Sequence, residues 1–286
     1  MYPVLRIRQK KINSRGDSVM LYGAMNFPIS PLFREIETFA QMGFDYLELA
    51  MDPPMAHYST LSKNMDQIKR SLKDKEFGLI CHLPTFLLTA DLTESIRHSS
   101  VEEMLRSLEI AAELGAKKVV LHPSMVFGMG PFVIDTVKGY FFEFLAEMVV
   151  AANRMKLTIC LENMMPRNML GVEPADFEEI FEMYPTLQMT LDTGHANIGS
   201  PAGNRLFELV KRFGNRLGHI HISDNLGKRD DHLAVGQGTI DFSALISHLV
   251  KLGYDNTITL EIFDQDRQML TESRDKIKKL FDTLKK

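Results

Sequence analysis

Apolar and β-branched positions along this 286-residue chain gather into eight short runs. They are Tyr22 to Asn26, Tyr46 to Met51, Gly78 to His82, Lys118 to His122, Thr158 to Glu162, Gln188 to Asp192, Gly218 to Ser223 and Thr257 to Ile262. Between them the apolar positions recur with a helical period, as in Ser99 to Leu114 and Phe242 to Leu252, and glycines such as Gly43, Gly115 and Gly253 stand where helices end. Strand and helix therefore alternate through eight units. This rhythm predicts the α/β class and a single-domain (β/α)8 TIM barrel rather than an open doubly wound sheet, and no G-x-G-x-x-G follows the first run. One such barrel takes about 250 residues, so the length suits one barrel over 19–286 behind an N-terminal extension over 1–18.

The polar residues at the run ends sharpen the picture. From the third run to the eighth, each ends in or beside a residue able to bind a metal: His82, His122, Glu162, Asp192, His221 and Glu261. In a parallel barrel the C-terminal strand ends converge on one mouth, so these six become neighbours around one cavity. His195, Asp230 and His232 follow in loops at the same mouth. Any one alone reads as a satisfied histidine or a solvated carboxylate; nine in matching positions do not.

Composition narrows the class. The formal charge is −4, which offers no broad basic footprint for nucleic acid. The extension carries Arg6, Arg8, Lys10, Lys11 and Arg15, and the alternation of Val4 to Ile12 suggests a short extra strand capping the barrel bottom. No uninterrupted apolar stretch marks a signal peptide or membrane span, so the expectation is a soluble, cytoplasmic protein without a membrane partner. The pleat separates the two cysteines, with Cys81 facing the helices and Cys160 the barrel interior, which argues against a disulfide. Without a C-x-x-C motif, any metal is held by imidazole and carboxylate.

Glu162, Asp192, His221 and Glu261 supply three carboxylates and one imidazole, a set suited to a divalent ion with positions open to substrate. Such an ion serves two chemistries. It can hold an enediolate while flanking carboxylates move a proton, which is isomerase or epimerase chemistry, or it can generate hydroxide that attacks a phosphodiester. Spacing does not choose between them.

The motifs C-H-L-P at 81 to 84, L-H-P-S at 121 to 124, L-E-N at 161 to 163, L-D-T-G-H at 191 to 195, H-I-H-I-S-D-N at 219 to 225, D-D-H-L-x-x-G-x-G-x-I-D at 230 to 241 and L-E-I at 260 to 262 resemble the xylose-isomerase-like TIM barrels. That superfamily includes sugar and sugar-phosphate isomerases and epimerases together with the endonuclease IV family. The resemblance to its epimerase branch implies metal ligation by Glu162, Asp192, His221 and Glu261, with Glu162 and Glu261 as the catalytic acid/base pair and His195, with His82 beside it, contacting substrate. The endonuclease branch implies three zinc ions, with His82, His122 and Glu162 for one, Glu162, Asp192, His221 and Glu261 for a second, and His195, Asp230 and His232 for a third.

Departures from the endonuclease pattern favour the epimerase. The chain reads Asp192-Thr193-Gly194-His195 where that branch has D-T-C-H, and Asp230-Asp231-His232 where it has a D-R-H triplet. The expectation is thus an isomerase or epimerase of a small-molecule sugar or sugar phosphate. It would hold one to three divalent ions, with zinc, manganese or cobalt before magnesium. The alternatives are an endonuclease acting on DNA, a 3-dehydroshikimate dehydratase-like lyase and a non-catalytic metal-binding module. Gly236-Gln237-Gly238 is either a backbone phosphate site or a plain turn. Lys228 and Arg229 read as a solvated pair. Met51, Met55, Met125, Met129, Met164, Met165 and Met169 follow strand ends and are expected to line part of the mouth.

Overall fold

Every apolar run becomes a parallel strand hydrogen-bonded to the next. A computed structural model describes residues 20–264 and 266–285; the extension over 1–18 and its expected strand lie outside the described residues. The strands are β1 (Leu21–Met25), β2 (Tyr46–Ala50), β3 (Gly78–His82), β4 (Lys118–Leu121), β5 (Thr158–Glu162), β6 (Gln188–Asp192), β7 (Leu217–Ile222) and β8 (Thr257–Leu260). They follow one another in order around a closed barrel, and β1 pairs with β8 to shut it. The (β/α)8 expectation holds.

Helices Leu32–Gln41, Met65–Asp74, Glu94–Leu114, Ile134–Met155, Pro174–Met183, Asn204–Phe213, Phe242–Lys251 and Gln268–Leu284 form the outer ring. The Glu94–Leu114 helix begins before the periodic segment and stops at Gly115, whose φ of 94° is the left-handed geometry that only glycine adopts without strain. Strand pleating gives the barrel two faces. Leu47, Leu49, Val119, Leu161 and Leu191 point outward onto Phe39, Leu108, Phe141, Phe177 and Leu245 in one continuous core. Each such side chain contributes about 1.5–3 kcal/mol by leaving water.

Tyr46 points inward with Ile80 and Val120 to plug the lower barrel. Its ring occupies the space over Gly23, where an added Cβ would lie 2.1 Å from the Tyr46 ring. Above this plug the inward positions become polar, with Glu48, Thr190, His219, His221 and Thr259 all fully buried. Cys81 joins the helix-facing core and Cys160 faces Gly218 across the interior, so both cysteines are free, as the pleat predicts. Among the described residues no helix is long and apolar enough to cross a membrane.

Candidate metal centre and active site

The strand ends deliver the six predicted side chains to one place. His82, Glu162 and Asp192 are the last residues of β3, β5 and β6, and His122 and Glu261 come directly after β4 and β8. His221 is the penultimate residue of β7 and lies in register with Asp192 and Thr259. Glu162 sits at the junction of two groups. Its Oε1 is 3.3 Å from His221 Nδ1 and 3.3 Å from His195 Nδ1, and its Oε2 is 3.1 Å from His122 Nε2 and 3.4 Å from His82 Nε2. One ligand atom from each of Glu162, Asp192, His221 and Glu261 falls within 4.8 Å of the others, and the same holds for His82, His122 and Glu162.

Local hydrogen bonds set these positions. Asn163 staples β5 to β6: its Oδ1 accepts the Asp192 N–H (2.8 Å) and its Nδ2 donates to the Asp192 carbonyl (3.0 Å). Asp192 then caps the Thr193–Asn197 turn, its Oδ1 accepting the His195 N–H at 2.6 Å. That leaves Oδ2 for the mouth.

The donor set fits a divalent cation on two observations. First, His221 Nδ1, Asp192 Oδ2 and Glu261 Oε2 are buried without a hydrogen-bond partner, although His221 Nδ1 is 3.7 Å from Asp192 Oδ2 and 3.1 Å from Glu261 Oε2. Buried polar atoms are nearly always paired, so three orphans facing each other mark a place for an ion. Second, the histidines are oriented as ligands. His82, His195 and His232 each place Nδ1 on a backbone carbonyl (Leu83, Asn163 and Glu261, at 2.9, 3.0 and 2.9 Å), which fixes Nδ1–H and presents Nε2 to the mouth. His221 is reversed, with Nε2 on Glu48 Oε1 at 2.9 Å and Nδ1 presented.

Glu48 and His219 are the residues that reading the strand ends missed. Glu48 Oε2 also accepts His219 Nε2 at 2.8 Å and the Thr259 hydroxyl, and His219 Nδ1 meets Thr257 Oγ1 at 2.7 Å. Glu48, His219 and His221 lie close enough to form a metal group of their own. No atom of Glu48 or His219 is orphaned there, however, so this layer is complete as a hydrogen-bonded support under His221. The readable signal was a lone carboxylate in the apolar strand Y-L-E-L-A.

Electrostatics match this division. Burial would raise the Glu48 carboxyl, but the His221 and His219 imidazoles outweigh it and hold it well below the usual range. Burial drops His219 to about 4, with Glu48 opposing. Burial alone would also lower His221, yet the Glu48 and Glu162 carboxylates raise it well above its ordinary value. His82 is lifted to about 9 because Glu162 overcomes burial, and His232 to about 9 because Asp230 and Glu261 do. Burial raises Asp192 despite His195. At His82, His221 and His232 the neighbouring carboxylates thus favour the protonated imidazole against burial.

His195, Asp230 and His232 form a third group, with Asp230 Oδ2 at 3.3 Å from His195 Nε2 and 3.0 Å from His232 Nε2. His232 takes a left-handed φ of 47° and its ring packs on Phe263 at 4.7 Å. The Gly236-Gln237-Gly238 turn is no phosphate cradle. Its Gly236 and Gly238 N–H groups both donate to Asp224 Oδ2 (3.0 and 2.9 Å) and Ile240 N–H to Oδ1, so the amides are already engaged by a buried carboxylate. Arg229 is 84% exposed beside Asp231, as a solvated charge would be.

Above the polar floor opens a cavity of about 350 Å³. Of the seven methionines expected there, Met125, Met164 and Met165 line it, and Met25 joins them. Met51 is instead core, and Met55, Met129 and Met169 are exposed. Phe27, Ile29, Phe86 and Phe263 complete an apolar wall.

Residues 36–286 match the model of the xylose isomerase-like TIM barrel. An uncharacterized protein of Methanocaldococcus jannaschii is 31% identical over 89% of this chain and 88% of its own. A solved D-tagatose 3-epimerase-like protein superposes with a TM-score of 0.83 at 27% identity, covering 93% of this chain and 98% of its own. More distant, at 22% identity, are a fructoselysine 3-epimerase of Escherichia coli O157:H7 (84% of this chain, 87% of its own) and a probable endonuclease 4 of Mycoplasma pneumoniae (73% and 75%). Barrel, strand-end residues and matched segment coincide, and the chain belongs to the xylose isomerase-like TIM barrel family.

Proposed function

We propose that the protein is a divalent-metal-dependent epimerase or isomerase of ketose sugars or their derivatives. The observation that carries this reading is the convergence of orphaned His221 Nδ1, Asp192 Oδ2 and Glu261 Oε2 beside Glu162 at the foot of a cavity of sugar size. The likeness to a tagatose 3-epimerase-like protein and to a fructoselysine 3-epimerase supports it.

Glu162, Asp192, His221 and Glu261 would hold the ion, which supplies a Lewis acid that polarises the substrate carbonyl and acidifies the neighbouring C–H. Glu162 and Glu261 stand on β5 and just after β8, so they flank the substrate from different sides of the barrel. One carboxylate takes the proton from the carbon beside the carbonyl, and the other returns a proton to the enediolate, on the opposite face or the adjacent carbon. His195 and His82, whose Nδ1 positions are fixed on carbonyls, offer Nε2 to substrate hydroxyls. Glu48 acts through His221 as a positioning residue, keeping Nε2–H on itself and the Nδ1 lone pair aimed at the centre.

A second reading, a phosphodiesterase acting on DNA, is favoured by one feature: His82 and His122 join Glu162 in a further metal-competent group, beside which Asp230 pairs with His195 and His232. The metal-reconstituted protein assayed on a panel of ketoses and ketose phosphates, in parallel with abasic-site DNA, separates the two. Conversion of a ketose to its epimer or isomer is the expected result; cleavage of abasic DNA with every sugar unchanged overturns it.

A further inference from the structure

The loop after β5 carries two donor side chains that find no hydrogen-bond partner among the described residues. Pro166–Asn168 forms one 3-10 turn. Asn168 N–H donates to the Met165 carbonyl (2.9 Å), and at the base of the loop Met164 N–H donates to the Gly171 carbonyl (2.7 Å). Asn168 is 5% exposed and lines the mouth cavity, and its Nδ2 has no hydrogen-bond partner. Arg167 lines the same cavity, and its guanidinium makes no hydrogen bond or ion pair among the described residues. It is also the single lysine or arginine among the described lining residues.

Amide and guanidinium nitrogens only donate, so both side chains need a partner that accepts. A buried amide without one calls for an explanation, and a carboxylate or phosphate supplies it, because guanidinium grips either in a two-point contact. A neutral hydroxyl can accept from either group but does not match the charge and two-point geometry of the guanidinium. Phe27, Ile29 and Phe263 line the same cavity and carry no charge.

We propose that Arg167 and Asn168 form a subsite for an anionic substituent, so that the substrates are acidic ketoses, bearing a phosphate or a carboxylate, in preference to neutral ones. This deepens the epimerase reading and rests on it for the reacting carbons. Arg167 lies five residues beyond Glu162, in the loop that follows β5, which places the anionic group on the β5 side of the cavity.

Calorimetric titration of the metal-loaded protein with D-fructose, D-fructose 6-phosphate and 5-keto-D-gluconate tests the subsite. At least one anionic ligand should bind about tenfold or more tighter than D-fructose, and whether phosphate or carboxylate wins identifies the group. R167Q, which alters an exposed side chain, and the near-isosteric N168D, which replaces the free donor with a negative charge, should each bring that ratio to about one. A ratio near one in the wild type overturns the proposal. So does an anion preference that survives in R167Q, the outcome of an anion seated on the metal. Turnover in the same samples separates the two readings: a preference abolished by R167Q without isomer formation keeps the subsite and removes the epimerase.

Discussion

Glu48 Oε1 and His221 Nε2 are hydrogen-bonded at 2.9 Å in the barrel interior, where neither side chain touches solvent. The bond decides which nitrogen of His221 faces the candidate ion. A carboxylate on the far side of a histidine fixes its tautomer and raises its basicity as a ligand, and removing such a partner typically costs 10–100-fold in metal affinity.

Glu48→Gln should therefore weaken metal binding by about 10–100-fold while the barrel still folds, since glutamine keeps the size of the side chain and one acceptor oxygen. Titration of the metal-free variant with zinc or manganese reads this directly. Unchanged affinity would mean that Glu48 serves only the packing of the barrel.

The same site sets a pH dependence. In the metal-free protein His82 and His232 are each lifted to about 9 and His221 is raised well above its ordinary value by Glu48 and Glu162, which favours the protonated imidazoles at neutral pH. A metal must displace the proton from any imidazole it uses, so binding releases protons and affinity rises with pH. The apparent dissociation constant should fall by about tenfold per pH unit between pH 6 and 8 for each proton released. Titration in two buffers of different ionisation heat counts those protons, and a pH-independent constant contradicts the assignment of imidazole ligands.

Stoichiometry discriminates the two functional readings. Nine side chains share the mouth, enough for three ions, whereas the epimerase reading needs only the Glu162, Asp192, His221 and Glu261 centre. Metal analysis of the protein should give one tight ion per chain, lost in His221→Ala and Asp192→Ala and retained in His232→Ala. Three tight ions, with one lost on changing His232, would favour the phosphodiesterase.

These predictions use positions that differed in how readable they were from sequence. His82, Glu162 and Asp192 announce themselves because a polar residue closing an apolar run has one meaning in a parallel barrel. Glu48 and His219 lie inside their strands, where the alternating pattern places them inward with Tyr46 and His221. Their pairing joins β2 to β7, which are separated in the barrel by β1 and β8, across 171 residues of chain, and no local pattern reports that contact. The Gly236–Gly238 turn failed for a similar reason. Its amides are engaged by Asp224, 12 and 14 residues earlier, a contact made by loop closure rather than by the glycines. Asn168 was likewise invisible, because an unpaired amide is a property of three-dimensional surroundings.

The central claim is that Glu162 and Glu261 move a proton at the carbon beside a ketose carbonyl, and isotope uptake tests it most directly. Turnover of an accepted ketose in deuterated water, followed by NMR of the product, should place solvent deuterium at that carbon, because the abstracted proton exchanges before it is returned. Glu162→Gln and Glu261→Gln, which keep an oxygen at each position, should lower the rate of label uptake by about 100-fold or more while part of the metal is retained. Product formed without solvent label, or label uptake undiminished in both glutamine variants, would contradict the account.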